Sequence, residues 1–247
     1  MIRFAHCLFQ MYFKSYFSFS LFIFPVFTNS FSQEPDKKKD FTSKPKKQDQ
    51  ILFDIHSSQI LRQEGAGVSP KWYSYGVTFS LFNDAPIKKT PLSIAIGAGV
   101  SNENYFLNKE IMRNANGGTD FVPAAVGLKR YKLSFTTLEV PVEIRIRIRP
   151  ERTNTVKINL GFSLGYVVQS KVKRSGEGNQ FGDTVSRSKV KEYNIPGFDN
   201  FRFIPYLRMG WSRYSITARY HVNALFKSGK GPLGWNPISL GFALTPF

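Results

Sequence analysis

The stretch LEVPVEIRIRIRP, Leu138 to Pro150, places an apolar residue at every second position and sets Glu139, Glu143, Arg145, Arg147 and Arg149 between them. Side chains of a strand alternate between its two faces, so such a run has one greasy face and one charged face. A helix would mix the two sets around its circumference. The chain must therefore supply surroundings that accept hydrocarbon on one side of a sheet and guanidinium groups on the other.

The same period recurs from Ile51 onward. In VKINLGFSLGYVVQSKV, Ile158, Leu160, Phe162, Leu164, Tyr166 and Val168 oppose Lys157, Asn159, Gly161, Ser163, Gly165 and Gln169. WYSYGVTFSLF, PLSIAIGAGVS and SRYSITARYHVN follow the rule, and FRFIPYLRMG follows it with Ile204 on the polar side. With LFDIH and PISLGFAL the count of segments is eight, and amphipathic helical periodicity is absent. Connections alternate: NDAPIKKTP, RPERTNT and the residues around Gly210 to Ser212 are short, whereas Asn102 to Arg130 and Lys171 to Asn200 are long and polar. That pattern predicts an all-β, eight-stranded antiparallel up-and-down transmembrane β-barrel with both termini on the short-turn side.

A soluble lipocalin-like barrel also alternates, with its apolar face inward. The polar faces here argue for the membrane form, because Ser93, Gly97, Gly99, Gly161, Ser163, Gly165 and Ser215 are small. Small residues suit the crowded interior of an eight-stranded barrel, where they leave room for long ones. The apolar face then meets lipid, in which a closed sheet satisfies every backbone group. Guanidinium groups enclosed in such an interior need partners. We expect a lumen ion-pair network of Asp54, Glu139 and Glu143 with Arg145, Arg147, Arg202, Arg208 and Arg219, with water or an anion balancing an arginine excess.

Ahead of the barrel, residues 51–247, stand two short segments. Tyr16 to Gln33, YFSFSLFIFPVFTNSFSQ, is an apolar run behind Arg3 and Lys14 that closes in Ser30-Phe31-Ser32. It has the form of a secretory signal peptide, residues 1–32, with translation starting at Met1 or Met11. Removing it takes away Arg3, Lys14 and no acid, which lowers the formal charge from +17 to +15. The single cysteine, Cys7, leaves with it, so disulfides cannot hold the mature chain. Residues 33–50, QEPDKKKDFTSKPKKQDQ, are almost free of apolar side chains and read as a flexible charged periplasmic leader.

Function classes narrow accordingly. A general diffusion porin needs about 16 strands, which leaves a narrow ion-conducting channel as the alternative to a plugged structural barrel. His56 and His221 lie on polar strand faces, where a lumen histidine more often joins a hydrogen-bond network than acts as a general base, so no catalytic residue, cofactor or metal site is expected. Glycine-rich pieces such as SGKGPLG lack the strand-to-helix setting of a phosphate loop. Lys171, Lys173, Arg174, Arg187, Lys189 and Lys191 load the long stretch between the fifth and sixth segments. On a cell surface they would contact lipopolysaccharide phosphates. The basic charge does not indicate nucleic acid, because export separates the chain from it.

KWYSYGVTFSLF, SIAIGAGVSNENYF, YKLSFTTLEVPVEIRIR, KINLGFSLGYVV and KSGKGPLGWNPISLGFALTPF resemble the PorT-like outer membrane β-barrel family over Ile51 to Phe247. The resemblance implies a bacterial outer membrane barrel, non-enzymatic, with secretion-system proteins as expected partners, since some members serve export across that membrane. Phe247 is similar to the terminal aromatic that the barrel assembly machinery reads. It falls out of phase with Ile238, Leu240, Phe242 and Leu244, and Thr245-Pro246 is expected either to end the strand or to bulge it.

Overall fold

Eight strands close on themselves in the computed structural model, which describes residues 50–61, 68–87, 90–114, 117–123, 128–149, 152, 154–176, 188–231 and 234–246. The expected signal peptide, the leader up to residue 49, Arg187 and Phe247 lie outside the described residues. The elements are β1 (Ile51–Ile60), β2 (Tyr75–Pro86), β3 (Leu92–Leu107), β4 (Lys109–Arg113), β5 (Thr119–Pro123), β6 (Leu128–Arg147), β7 (Val156–Gly176), β8 (Ser188–Tyr193), β9 (Phe201–Trp211), β10 (Tyr214–Tyr220) and β11 (Pro237–Leu244). Among the described residues there is no helix.

The barrel order is β1-β2-β3-β6-β7-β9-β10-β11, all antiparallel, and β1 pairs back onto β11 with Phe53 opposite Leu244 and Ile60 opposite Pro237. Short turns join β2 to β3, β6 to β7 and β9 to β10, at the end where β1 starts and β11 finishes. The β11 strand stops at Leu244, just before Thr245-Pro246.

Every barrel strand turns its apolar set outward. Leu160, Ile216 and Leu240 are 60% or more exposed, while Glu143, Arg145 and Ser163 on the opposite faces are fully buried. That is the reverse of a lipocalin, whose apolar residues point inward. Small lumen residues create the space: a Cβ on Gly161 would run into the Tyr206 ring, and one on Gly76 into His56 and Glu103. On β6 the lipid-facing residues are Leu138, Val140, Val142, Ile144 and Ile146. About ten residues of a tilted strand cross a bilayer, so residues 128–137 rise beyond it.

Here the structure departs from the sequence reading. Asn102 to Arg130 and Lys171 to Asn200, expected as polar loops, contain the upper ends of β3, β6 and β7, the β4–β5 hairpin and β8. Above the membrane, β3, β6, β7 and β8 continue as one sheet. Its inner face packs Tyr105, Leu133, Phe135 and Val172 against Phe198, Phe226 and Trp235. The long connections thus build a second apolar core, a cap over the barrel mouth.

A bulge separates the two parts of β7. Thr136 pairs with Gln169 but Thr137 pairs with Val167, so Val168 is the extra residue. Below it the even-numbered side chains of β7 face lipid; above it Val172 is buried and Lys171 and Lys173 turn outward. One inserted residue exchanges the faces of the strand.

Candidate functional site

Charged side chains are stacked along the lumen in layers. Nearest the short turns, Arg147 donates to Asp84 at 2.8 Å, and Arg145 lies 3.5 Å from the same carboxylate. Phe82 packs in this layer with the Arg145 guanidinium 4.6 Å from its ring centroid. Next, Glu143 accepts from Arg145 and Arg208, each at 2.7 Å, and from the Tyr206 hydroxyl at 2.8 Å. The Asn159 amide, set with its oxygen toward Arg208, accepts from that guanidinium at 2.9 and 3.0 Å. Above this, Glu139 accepts from Arg219 at 2.7 Å and from Ser163 at 3.1 Å, and Arg219 also donates to Thr78 at 2.6 Å.

A fourth layer centres on His56, whose Nδ1 lies 2.8 Å from Asp54 and whose Nε2 lies 2.7 Å from Glu103; Ser58 donates to the same Glu103 at 2.5 Å. Two ionised carboxylates can both accept only from a ring that carries both N–H protons. Asp54, expected to face an arginine, therefore meets a histidine.

Arg202 differs from expectation too. Among the described residues it has no carboxylate partner in ion-pair range, and it donates to the carbonyl oxygens of Ala224 and Leu225 at 2.9 and 3.3 Å, with its guanidinium 4.9 Å from the Phe198 ring centroid. These contacts hold the base of the cap to the barrel. Asp84 and Glu103 are the lumen acids that sequence reasoning missed. The sequence pattern places Asp84 in a turn and Glu103 in a loop, whereas β2 and β3 run through them. With them, the described residues place five carboxylates beside five guanidinium groups in the lumen, so arginines do not outnumber acids among them.

The packing leaves little space. A void of about 20 Å³ remains between residues such as Leu52, Thr78, Phe82, Tyr206 and Arg208, room for about one water. A larger hollow of about 660 Å³ lies between Leu160, Leu207, Tyr220, Ile238 and Leu240. Its apolar lining belongs to the lipid-facing surface. His221 is buried beneath the cap, and Asn223 turns away to donate to Asp199 at 3.0 Å. Neither histidine stands at an open rim.

The cationic residues of the long connection divide by face. Arg174 reaches inward to Glu192 at 3.2 Å and Glu110 at 3.6 Å. Lys171, Lys173 and Lys191 stand on the outward face; the Lys189 side chain lies outside the described residues.

Residues 31–228 match the family model described as outer membrane protein beta-barrel domain. No curated protein matches the chain. Among solved structures, the chain is similar to Ail, the attachment invasion locus protein of Yersinia pestis, crystallised in complex with the heparin analogue sucrose octasulfate. Identity is 11% and the TM-score 0.34, over 79% of this chain and 94% of that one. With most of its length matched and its strands closed into a barrel of eight, the chain belongs to the outer membrane protein β-barrel domain family.

Proposed function

We propose that this outer membrane barrel is a non-enzymatic structural and interaction component, which works through its extracellular sheet and periplasmic turns rather than through its lumen. The observation that carries this reading is the packed interior: four layers of paired charges occupy the lumen, and the void beside Thr78, Tyr206 and Arg208 holds about 20 Å³. An ion crossing such a lumen would have to separate buried pairs, each of which costs several kcal/mol to break. Purified folded protein in planar bilayers is expected to stay electrically silent. Discrete conductance steps from heat-shift-competent protein would replace this reading with that of a narrow channel.

The similarity to PorT-like barrels supports the further reading that these contacts serve protein secretion, with secretion-system proteins as partners and the barrel assembly machinery acting during insertion. A deletion strain is expected to retain cargo that wild-type cells export. Normal levels of exported cargo in that strain would sink the secretion reading and leave that of a structural and interaction component intact.

A further inference from the structure

Register on the outward face of the extracellular sheet aligns side chains across four strands. Phe106 stands opposite Lys132, Lys132 opposite Lys173, and Lys173 opposite Lys191. The adjoining line runs from Tyr75 through Asn104 and Ser134 to Lys171 and then Tyr193. Directly opposed side chains of antiparallel strands sit about 5 Å apart, and like charges there repel. The sheet therefore gathers cations where its own stability would disperse them.

Nearby carboxylates do not relieve the repulsion. Glu110 and Glu192 are engaged by Arg174 on the other face. Among the described residues Lys171, Lys173 and Lys191 have no acidic partner. The Lys132 amine donates to Asn104 at 2.9 Å and lies 5.8 Å from the Phe106 ring centroid. Partial burial, and then the charges of Lys173, Lys171 and Arg130, hold it below the usual lysine value.

Height and flanking residues indicate what neutralises the line. Val168 is the last lipid-facing residue of β7, and Lys171 and Lys173 follow it on the bulge-shifted face. At about 3.3 Å per residue and a tilt of about 40°, they stand roughly 8 and 13 Å above the hydrocarbon edge. A lysine stem can bend back to the headgroup layer from there. Tyr73 and Tyr75 pack against Phe106 with centroids 4.9 and 6.3 Å apart, forming an aromatic border on the same face, as interfacial rings do.

We infer that Lys132, Lys171, Lys173 and Lys191 form a binding site for the phosphate groups of an outer-leaflet glycolipid of the lipid A class. The site lies on the wall that faces the leaflet, so the lipid reaches it by lateral diffusion with its acyl chains against Leu138, Leu164 and Tyr166 below. Phosphate oxygens accept charge-assisted hydrogen bonds from the ammonium groups and cancel the repulsion across β6, β7 and β8. This deepens the reading of the extracellular sheet as the working surface by naming what it holds.

The test is native mass spectrometry of the full folded protein titrated with bis-phosphorylated lipid A and, separately, with its dephosphorylated form. Wild type is expected to favour the phosphorylated form by about tenfold or more. A Lys171→Gln, Lys173→Gln, Lys191→Gln variant, checked for folding by heat shift, is expected to lose that preference. Equal binding of the two lipids by wild type overturns the site without any variant. An unchanged preference in the folded variant does so as well, and tighter binding of a soluble sulfated oligosaccharide than of lipid A overturns the lipid source. None of these outcomes bears on conductance, so failure of the site is separate from failure of the closed-barrel reading.

Discussion

Glu143→Leu is expected to lower the unfolding free energy of the lipid-reconstituted barrel by about 3–5 kcal/mol, measured by urea titration. Glu143 is the shared acceptor for Arg145, Arg208 and Tyr206, and all its contacts lie at 2.7–2.8 Å with no exposure. Removing it takes the nearest carboxylate from two guanidinium groups in an enclosed space. Arg145 keeps the Asp84 carboxylate at 3.5 Å and the Phe82 ring, and Arg208 keeps the Asn159 amide oxygen. The companion variant Glu143→Leu, Arg208→Leu is expected to recover part of the loss, because one uncompensated cation goes with its partner. A loss below about 1 kcal/mol for the single variant would mean that water enters the layer and solvates the arginines.

Trp235→Ala is expected to cost the cap about 3–5 kcal/mol while leaving the barrel folded. Trp235 is fully buried, with ring centroids 4.8 Å from Phe121 and 6.0 Å from Phe226, and its carbonyl accepts from Leu225 at 2.9 Å. Its loss empties the centre of the apolar cluster that covers the mouth. Protease added to intact cells should then cut the extracellular connections, whereas the heat-dependent gel shift of the barrel should persist. Loss of the shift together with the cleavage would show that cap and barrel unfold as one cooperative unit.

Strand faces were readable because alternation is a local property: Leu138 to Ile148 and Val156 to Val168 declare their two sides residue by residue. The pairing across the lumen was not. Glu143 meets Arg208 and Glu139 meets Arg219 only after the barrel closes, and barrel closure brings together residues whose spacing in the chain carries no mark. Asp84 and Glu103 escaped notice for a different reason. Each sits where the apolar pattern fades near the end of its strand, so a reading based on alternation stops too early. The cap was hidden by composition: lysines around Val172 and glycines around Trp235 masked apolar residues that pack only in the folded chain.

The extra residue at Val168 means that the two halves of β7 obey separate phase rules. In the membrane half, odd-numbered positions must tolerate a packed polar interior; in the upper half, they must tolerate water and headgroups. A frame-preserving deletion of the Val168 codon would therefore leave the two halves in step, because the ladder would alternate without a break from Val167 to Gln169. Lys171 and Lys173 would stay outward and Val172 inward, so the bulge gives β7 one residue that it can lose without turning either half over.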